Sequence, residues 1–148
     1  MFQRIIVLGA LSIFIIWALS ACLGSTKGGP DLIAEKPFGI QGPEGFCTIS
    51  EEDAGNLLVH VRNIGNKNIF RHSTVLVVFS PGGVREAYIP PLGYGAYANA
   101  VVEMPTGWPD PGGTFEVTVD ANNNLDETDE TNNVYMGKCP GLNATPNP

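Results

Sequence analysis

The residues best suited to hold a metal ion lie in one acidic stretch, Asp120–Asn133 (DANNNLDETDETNN). Oxygen-bearing side chains alternate at its start, and calcium takes about six to eight oxygen ligands. The pattern then departs from a calcium loop, because Leu125 stands where such a loop needs glycine and Thr131 where it needs glutamate. Either this stretch binds calcium, or its side chains bond to nearby backbone amides and order a loop, which we favour. The calcium candidates are Asp120, Asn122, Asn124, Asp126 and Glu127.

Nucleophilic catalysis has little support in this sequence. It needs a nucleophile, an adjacent base and a group that orients the base. No nucleophile motif stands beside His60, on the solvent-facing side of a predicted strand, or His72, in a predicted turn. A glycosidase would need carboxylates on two sides of a cleft, whereas the acids here share one stretch. We therefore expect no catalytic residue and no cofactor, and a small hydrolase is the less favoured alternative.

Cys22 follows a segment typical of export. Residues 1–21 carry a positive charge at Arg4 and then the apolar run Ile5–Leu19. As a helix this run of fifteen residues would measure about 22 Å, short of the roughly 30 Å hydrocarbon core, so we predict a cleaved signal peptide. Residues 19–22 (LSAC) resemble the lipobox of bacterial lipoproteins, which implies that Cys22 is the lipidation site. The alternative is an ordinary thiol at the end of a hydrophobic segment.

The resemblance to lipoproteins also implies a location. Acyl chains contribute about 0.8 kcal/mol per buried methylene, so two or three of them make a durable membrane anchor. Residues 22–29 would then be a lipidated, flexible tether. Leu23 rather than aspartate follows the cysteine, which favours the outer membrane in a host with two membranes. In a host with one membrane, the protein would lie on the outer face of the plasma membrane.

Cys47 and Cys139 remain after Cys22, and a disulfide is their simplest use in an oxidising compartment. They lie 92 residues apart, so in the chain-entropy model the bond would stabilise the fold by about 4–5 kcal/mol. The alternatives are a metal thiolate pair or two free thiols. Two cysteines without nearby histidine ligands make a poor zinc site, so we favour the disulfide.

Trp108 is the candidate for contact with a partner. It lies in the loop 106–110 (TGWPD), with Tyr94 and Tyr97 upstream, and an exposed aromatic cluster of this kind could contact a protein or a sugar. The alternative, which we favour, is that the indole covers one open end of the fold as part of the core.

Composition excludes a further class of partner. The 148 residues carry a formal charge of −7, from eight basic and fifteen acidic side chains. Binding to nucleic acid needs clustered Lys and Arg, and no such cluster exists in the sequence. The chain is long enough for one hydrophobic core, and its 18 glycines and 12 prolines beside many Val, Ile and Thr favour short strands joined by turns.

The apolar patterns predict an all-β fold. Residues 57–62 (LLVHVR) alternate between a buried and a solvent-facing side, and residues 74–79 (TVLVVF) form the continuous apolar run of a central strand. About seven such strands at this spacing predict a two-layer antiparallel sandwich of immunoglobulin-like type, followed by a disordered tail over residues 140–148. The predicted strands cover residues 46–49, 57–62, 74–79, 85–89, 96–102, 115–119 and 133–138, and residues 32–34 could add a first edge strand.

Three segments together resemble the CARDB domain, a cell-adhesion-related module of bacteria and archaea. They are Pro30–Ile33 (PDLI), Val59–Gly65 (VHVRNIG) and Phe115–Asn133, with a Pro-Leu turn at residues 91–92 before the last. The resemblance covers most of residues 30–139 and implies a seven-stranded sandwich related to immunoglobulin and fibronectin type III modules.

In function, the resemblance implies a non-catalytic protein-interaction, adhesion or structural module of the cell envelope. Its partners would be the membrane, through the lipid, and an unknown envelope protein or polysaccharide. The alternative is a calcium- or carbohydrate-binding module.

Overall fold

The computed structural model describes residues 28–36, 43–108 and 112–141, so the targeting segment, Cys22 and most of the tether lie outside the described residues. Seven strands and one 3₁₀-helix make up the described part of the chain. No helix in these three ranges is long and apolar enough to cross a membrane. The strands are β1 Leu32–Glu35, β2 Asn56–Asn63, β3 Ser73–Ser80, β4 Gly83–Ile89, β5 Tyr97–Glu103, β6 Gly112–Val119 and β7 Val134–Pro140, and the 3₁₀-helix is Pro43–Phe46.

Two antiparallel sheets face each other. One has three strands in the order β1-β2-β5, and the other has four in the order β4-β3-β6-β7. This arrangement confirms the predicted all-β, immunoglobulin-like sandwich. The apolar run predicted as a central strand forms β3, which pairs with β4 on one side and β6 on the other.

Alternation along the strands places the hydrophobic core between the sheets. In β2, Leu57, Val59 and Val61 are buried, while the residues between them are partly or fully exposed, as their pattern predicts. The same alternation in β3 and β6 brings further apolar side chains inward. The largest fully buried apolar side chains are Leu32, Leu57, Val61, Val75, Val77, Ile89, Val102, Phe115, Val117 and Val119.

The strand predicted over residues 46–49 is wrong. The chain makes the 3₁₀-helix through Phe46 and then a single bridge between Ile49 and Leu57. Proline and glycine in the PEGF sequence favour a turn. Cys47 is also bonded to Cys139 in β7, so this segment joins the sheet that contains β7 to the β2 edge of the three-stranded sheet.

The same segment protects part of β2. β1 pairs only with residues 60–63 of β2. Beyond that point the Thr48 carbonyl accepts a hydrogen bond from Leu58 N at 2.7 Å, and Ser50 N donates to the Asn56 carbonyl at 2.9 Å. Both halves of this β2 edge are therefore covered. At the other terminus Pro140 is the last residue of β7, so the predicted tail begins too early; residues 142–148 lie outside the described residues.

Candidate functional site

Four segments meet where the chain enters β1, and we call this part of the sandwich the β1 end. They are residues 28–31, the β2–β3 loop (64–72), the β4–β5 loop (90–96) and the connection from β6 to β7 (120–133). Hydrogen bonds join these segments, so the loops at this end are held to one another and to the strands. The acidic stretch recognised in the sequence is the β6–β7 connection, which places the calcium candidates at this end.

Asn63, at the end of β2, is the buried polar centre of the β1 end. Its Oδ1 accepts hydrogen bonds from Asp31 N at 3.2 Å and Gly65 N at 3.1 Å. Its Nδ2 donates to the Lys67 carbonyl at 2.8 Å and, over longer distances, to the carbonyls of Leu92 and Gly93. The side-chain amide of Asn63 thus joins the start of the domain to both loops. Because the amide is buried, its polar atoms need these hydrogen-bond partners.

Gly65 allows the start of the domain to pass close to the β2–β3 loop. A side chain at this position would run into the backbone of Gly29, Pro30 and Asp31. The close approach is fixed by hydrogen bonds from Ile64 N to the Asp31 carbonyl at 2.7 Å and from Asn66 N to the Gly29 carbonyl at 2.9 Å. The sequence shows an Asn-x-Gly turn here, but the buried role of Asn63 was not predicted.

Asp120 begins the β6–β7 connection and is buried. Its Oδ1 accepts a hydrogen bond from Ser73 Oγ at 2.9 Å, and its Oδ2 accepts one from Leu125 N at 3.0 Å. Its backbone is left-handed, with φ of 49°, a conformation that Asp and Asn tolerate better than most residues. Asn122 Nδ2 donates to Thr74 Oγ1 at 2.9 Å. The first two calcium candidates therefore attach the connection to β3.

Glu127 attaches the same connection to β1 and to the start of β7. Its Oε1 accepts a hydrogen bond from Leu32 N at 2.6 Å, and its Oε2 accepts one from Asn133 Nδ2 at 2.8 Å. Burial raises the pKa of Glu127 to about 7, against the two hydrogen bonds, and the negative charges of Asp120 and Glu130 raise it further. The carboxyl therefore keeps its proton to a higher pH than an ordinary glutamate does.

The remaining calcium candidates, Asn124 and Asp126, are exposed. The backbone carbonyl of Asn124 accepts a hydrogen bond from Arg71 Nη1 at 3.4 Å. Across the described ranges, no group of three or more His, Cys, Asp or Glu side chains is placed to hold a metal ion. Three of the five candidates, Asp120, Asn122 and Glu127, bond to strand residues or backbone amides, as the ordered loop that we favoured from the sequence predicts.

Trp108 lies at the opposite end of the sandwich, which we call the Trp108 end. Only 9% of its surface is exposed, so Trp108 is not available for contact with a partner. It belongs to the core, as we favoured from the sequence. The indole meets the rings of Phe79 and Phe115 edge-on, with centroids 4.8 and 6.0 Å away. Gly113 on β6 leaves the space that the indole occupies. The indole Nε1 is buried and has no hydrogen-bond partner among the described residues.

The disulfide lies at the Trp108 end as well. It joins Cys47 to Cys139, as predicted, with the two Cα atoms 5.2 Å apart. Cys139 pairs in register with Gly113, the residue beside Trp108. The Phe46 ring, next to Cys47, packs on Tyr135 near the opposite end of β7, with centroids 5.6 Å apart, so it does not belong to the Trp108 end. A covalent bond and aromatic packing together close this end.

The two loops of the β1 end carry an exposed apolar surface that the sequence did not reveal. Ile69 and Leu92 are buried beneath it, and Ile69 N donates to the Leu92 carbonyl at 2.8 Å. Tyr94 N donates to Asn68 Oδ1 at 2.8 Å, which ties the loops together again. We call the exposed residues of these loops, together with Tyr97 at the start of β5, the aromatic patch; the exposed fractions are 48% for Ile64, 84% for Phe70, 68% for Tyr94 and 70% for Tyr97.

Two solved structures resemble this sandwich. One is the CARDB domain of a protein from Pyrococcus furiosus, in complex with di-metal ions, with a TM-score of 0.52, 22% identity, and coverage of 77% of this chain and 94% of that chain. The other is a domain of a candidate cell-surface protein from Methanosarcina acetivorans, with a TM-score of 0.58, 19% identity, and coverage of 77% and 93%. At these identities the likeness shows the fold.

Sequence comparison identifies the family. No curated protein matches the chain. The family model CARDB matches residues 29–137, which include all seven strands except the last residues of β7. The chain therefore belongs to the CARDB family, whose domains are non-catalytic and adhesion-related.

Proposed function

We propose that this protein is a lipid-anchored component of the cell envelope, and that its CARDB domain is a non-catalytic interaction, adhesion or structural module. The observation that carries this proposal is the pairing of Cys47 with Cys139, because it leaves Cys22 as the one remaining cysteine of the three in the chain. A disulfide also suits an oxidising compartment outside the cytoplasm. The anchor would lie in the outer membrane of a host with two membranes, and otherwise on the outer face of the plasma membrane.

The family supports a role at the cell surface. CARDB domains are adhesion-related, and the similar Methanosarcina domain belongs to a candidate cell-surface protein. The partner that we propose is an envelope protein or polysaccharide.

Metal binding is not part of this proposal, although the similar Pyrococcus domain is in complex with di-metal ions. The carboxylates of Asp120 and Glu127 each accept two hydrogen bonds from within the domain. A cation there would have to displace these donors, which lie on β1, on β3 and within the β6–β7 connection itself and hold the β1 end together.

Labelling with an alkyne-bearing palmitate analogue tests the anchor. We expect label on the wild type and on a Cys47→Ser/Cys139→Ser control, which keeps Cys22, and no label on Cys22→Ser. Crosslinking in intact envelopes, followed by capture of the wild type, should identify the partner, and the Cys22→Ser chain should lose both membrane retention and that crosslink. Equal label on the wild type and Cys22→Ser would show that the anchor is not at Cys22.

A further inference from the structure

We infer that the aromatic patch lies against the lipid bilayer to which the chain is anchored. This inference rests on the proposed lipid at Cys22, and it adds a second contact between protein and membrane. The domain would therefore stand on the bilayer in one orientation, with the β1 end down and the Trp108 end facing outward.

The patch has the exposure that insertion into a lipid interface needs. Phe70 is the most exposed of the large apolar side chains in the described part of the chain, and Tyr94 and Tyr97 are about two-thirds exposed. Large exposed apolar patches on soluble domains mark interaction surfaces. Phe70 follows the buried Ile69 directly, and Tyr94 follows the buried Leu92 by two residues. Buried neighbours and shared hydrogen bonds hold both aromatic side chains on the outside, so presenting them costs little further ordering.

The path of the chain places this end nearest the bilayer. The described structure begins at Gly28, and Gly29 is hydrogen-bonded to Asn66 of the β2–β3 loop at 2.9 Å. Six residues separate Cys22 from the domain, counting Gly28, and a fully extended chain of that length spans only about 20 Å. A lipid on Cys22 would thus hold the loop that carries Ile64 and Phe70 close to the headgroups.

The distribution of charge favours contact with an anionic bilayer through the β2–β3 and β4–β5 loops rather than through the rest of the β1 end. Residues 62–72 and 90–97 include Arg62, Lys67 and Arg71 but no Asp or Glu, in a chain of net charge −7. Arg62 is paired with Glu35 at 3.2 Å, Lys67 lines a cleft with Asp126 and Glu130 of the β6–β7 connection, and Arg71 bonds to a neutral backbone carbonyl of that connection. Exposed aromatic side chains on segments that carry no carboxylate suit an anionic lipid interface.

The exposed acids of the β1 end belong to a different segment. Asp126, Asp129 and Glu130 lie on the β6–β7 connection, which is joined to the start of the domain through Thr128 and Pro30. Repulsion between these carboxylates and anionic headgroups would tilt the domain onto the β2–β3 and β4–β5 loops. The contact that we infer is therefore through the aromatic patch and not through the whole end.

Fluorescence quenching by brominated lipids tests the orientation. The mature lipidated protein, which begins at Cys22, is reconstituted in vesicles of phosphatidylethanolamine and phosphatidylglycerol, with and without bromine in the acyl chains. Phe70→Trp places an indole in the patch, and Val101→Trp places one at an exposed position on the outer face of β5. The wild type, with its buried Trp108 at the far end, supplies the baseline. An interfacial helix or loop buries its apolar side chains about 5–10 Å deep, so we expect about twofold stronger quenching for Phe70→Trp than for Val101→Trp.

The outcomes separate the two proposals. If intact mass shows that the wild type carries no lipid, the anchor and the bilayer contact are both wrong. If the protein is lipidated but Phe70→Trp and Val101→Trp are quenched equally, the anchor stands and the bilayer contact is wrong. If Phe70→Trp is not quenched and Phe70→Ser/Tyr94→Ser loses a crosslink to an envelope protein, the patch binds a protein and the inference is also wrong.

Discussion

The two ends of the sandwich are closed by different chemistry. At the Trp108 end, a disulfide and three packed aromatic rings close the gap between the sheets. At the β1 end, buried Asn63 and Asp120 and half-buried Glu127 do so through hydrogen bonds to four chain segments. Trp108 at one end and the acidic side chains at the other are of the types expected at a ligand site. In both cases these side chains hold the fold together.

The difference between the two ends shows what determines whether an aromatic or an acidic residue becomes part of the fold. An aromatic side chain becomes core where glycines leave room for it, as Gly113 does for Trp108 and Gly137 for Phe115. A buried carboxylate or amide must instead find donors and acceptors, so its position is fixed by backbone groups. The Trp108 end should therefore contribute stability that is insensitive to pH, and the β1 end stability that depends on pH.

The largest effect should follow loss of the disulfide. The loop that it closes spans a sequence separation of 92 residues. Replacing both Cys47 and Cys139 by Ala should lower the free energy of unfolding by about 4–5 kcal/mol, because the unfolded chain regains that freedom. Urea unfolding of the variant beside the wild type measures this, and a loss below about 1 kcal/mol would contradict it.

Removal of the Trp108 indole should cause the second-largest loss of stability. Trp108→Ala leaves a cavity between Phe79 and Phe115 and should cost about 3–4 kcal/mol. Tyr94→Ala, which truncates an exposed aromatic at the other end, is the matched control and should cost less than about 0.5 kcal/mol. Similar losses in the two variants would show that Trp108 is not part of the core.

At the β1 end, Asp120→Ala removes the acceptor for Ser73 and Leu125 and places alanine in a left-handed backbone conformation. We expect a loss of about 2–3 kcal/mol in urea unfolding. Asp120→Asn keeps one acceptor and tolerates that conformation, so it should cost only about 1 kcal/mol. If asparagine is as harmful as alanine, the negative charge matters more than the geometry.

The smallest expected effect is the pH dependence that Glu127 confers. Its pKa is about 7 in the folded protein against 4.5 for a free glutamate, so folding favours the protonated form. Stability from this group is therefore complete below pH 4.5 and is lost as the pH rises through 7. Because the carboxyl is partly exposed, solvent screening limits the change to about 1–2 kcal/mol.

Glu127→Gln isolates that effect from the titration of the other acids. The amide cannot ionise but keeps an acceptor for Leu32 N, so the variant should gain stability over the wild type as the pH rises from 4.5 to 8. Unfolding free energies of the two chains across this range measure the difference. Parallel pH profiles would show that Glu127 does not titrate between these values.

Much of the fold was predictable because its pattern is local. Alternation in β2 and the apolar run of β3 gave both strands to within one residue at each end. The segment at residues 46–49 could not be predicted, because its path is set by a bond to Cys139 on a distant strand. The buried role of Asn63 was also hidden, since its partners Asp31 and Leu92 come from remote parts of the sequence.

The candidate sites divide in the same way. The pairing of Cys47 with Cys139 follows from counting cysteines, and the structure contains it. Whether Trp108 is buried depends on Gly113 of β6 and Gly137 of β7, which contact the indole and Phe115 only in the folded sandwich. The aromatic patch could not be predicted either, because it depends on which residues of two loops face inward. Loop residues show no periodic pattern from which that could be inferred.

The most direct test of this account is the intact mass of the native protein from membranes, denatured and alkylated before and after reduction. We predict a chain that begins at Cys22 and carries acyl-glycerol mass, with no alkylation before reduction and two sites after it, at Cys47 and Cys139. A chain that keeps residues 1–21 and takes up alkylating reagent at all three cysteines without reduction would contradict both the lipid anchor and the disulfide.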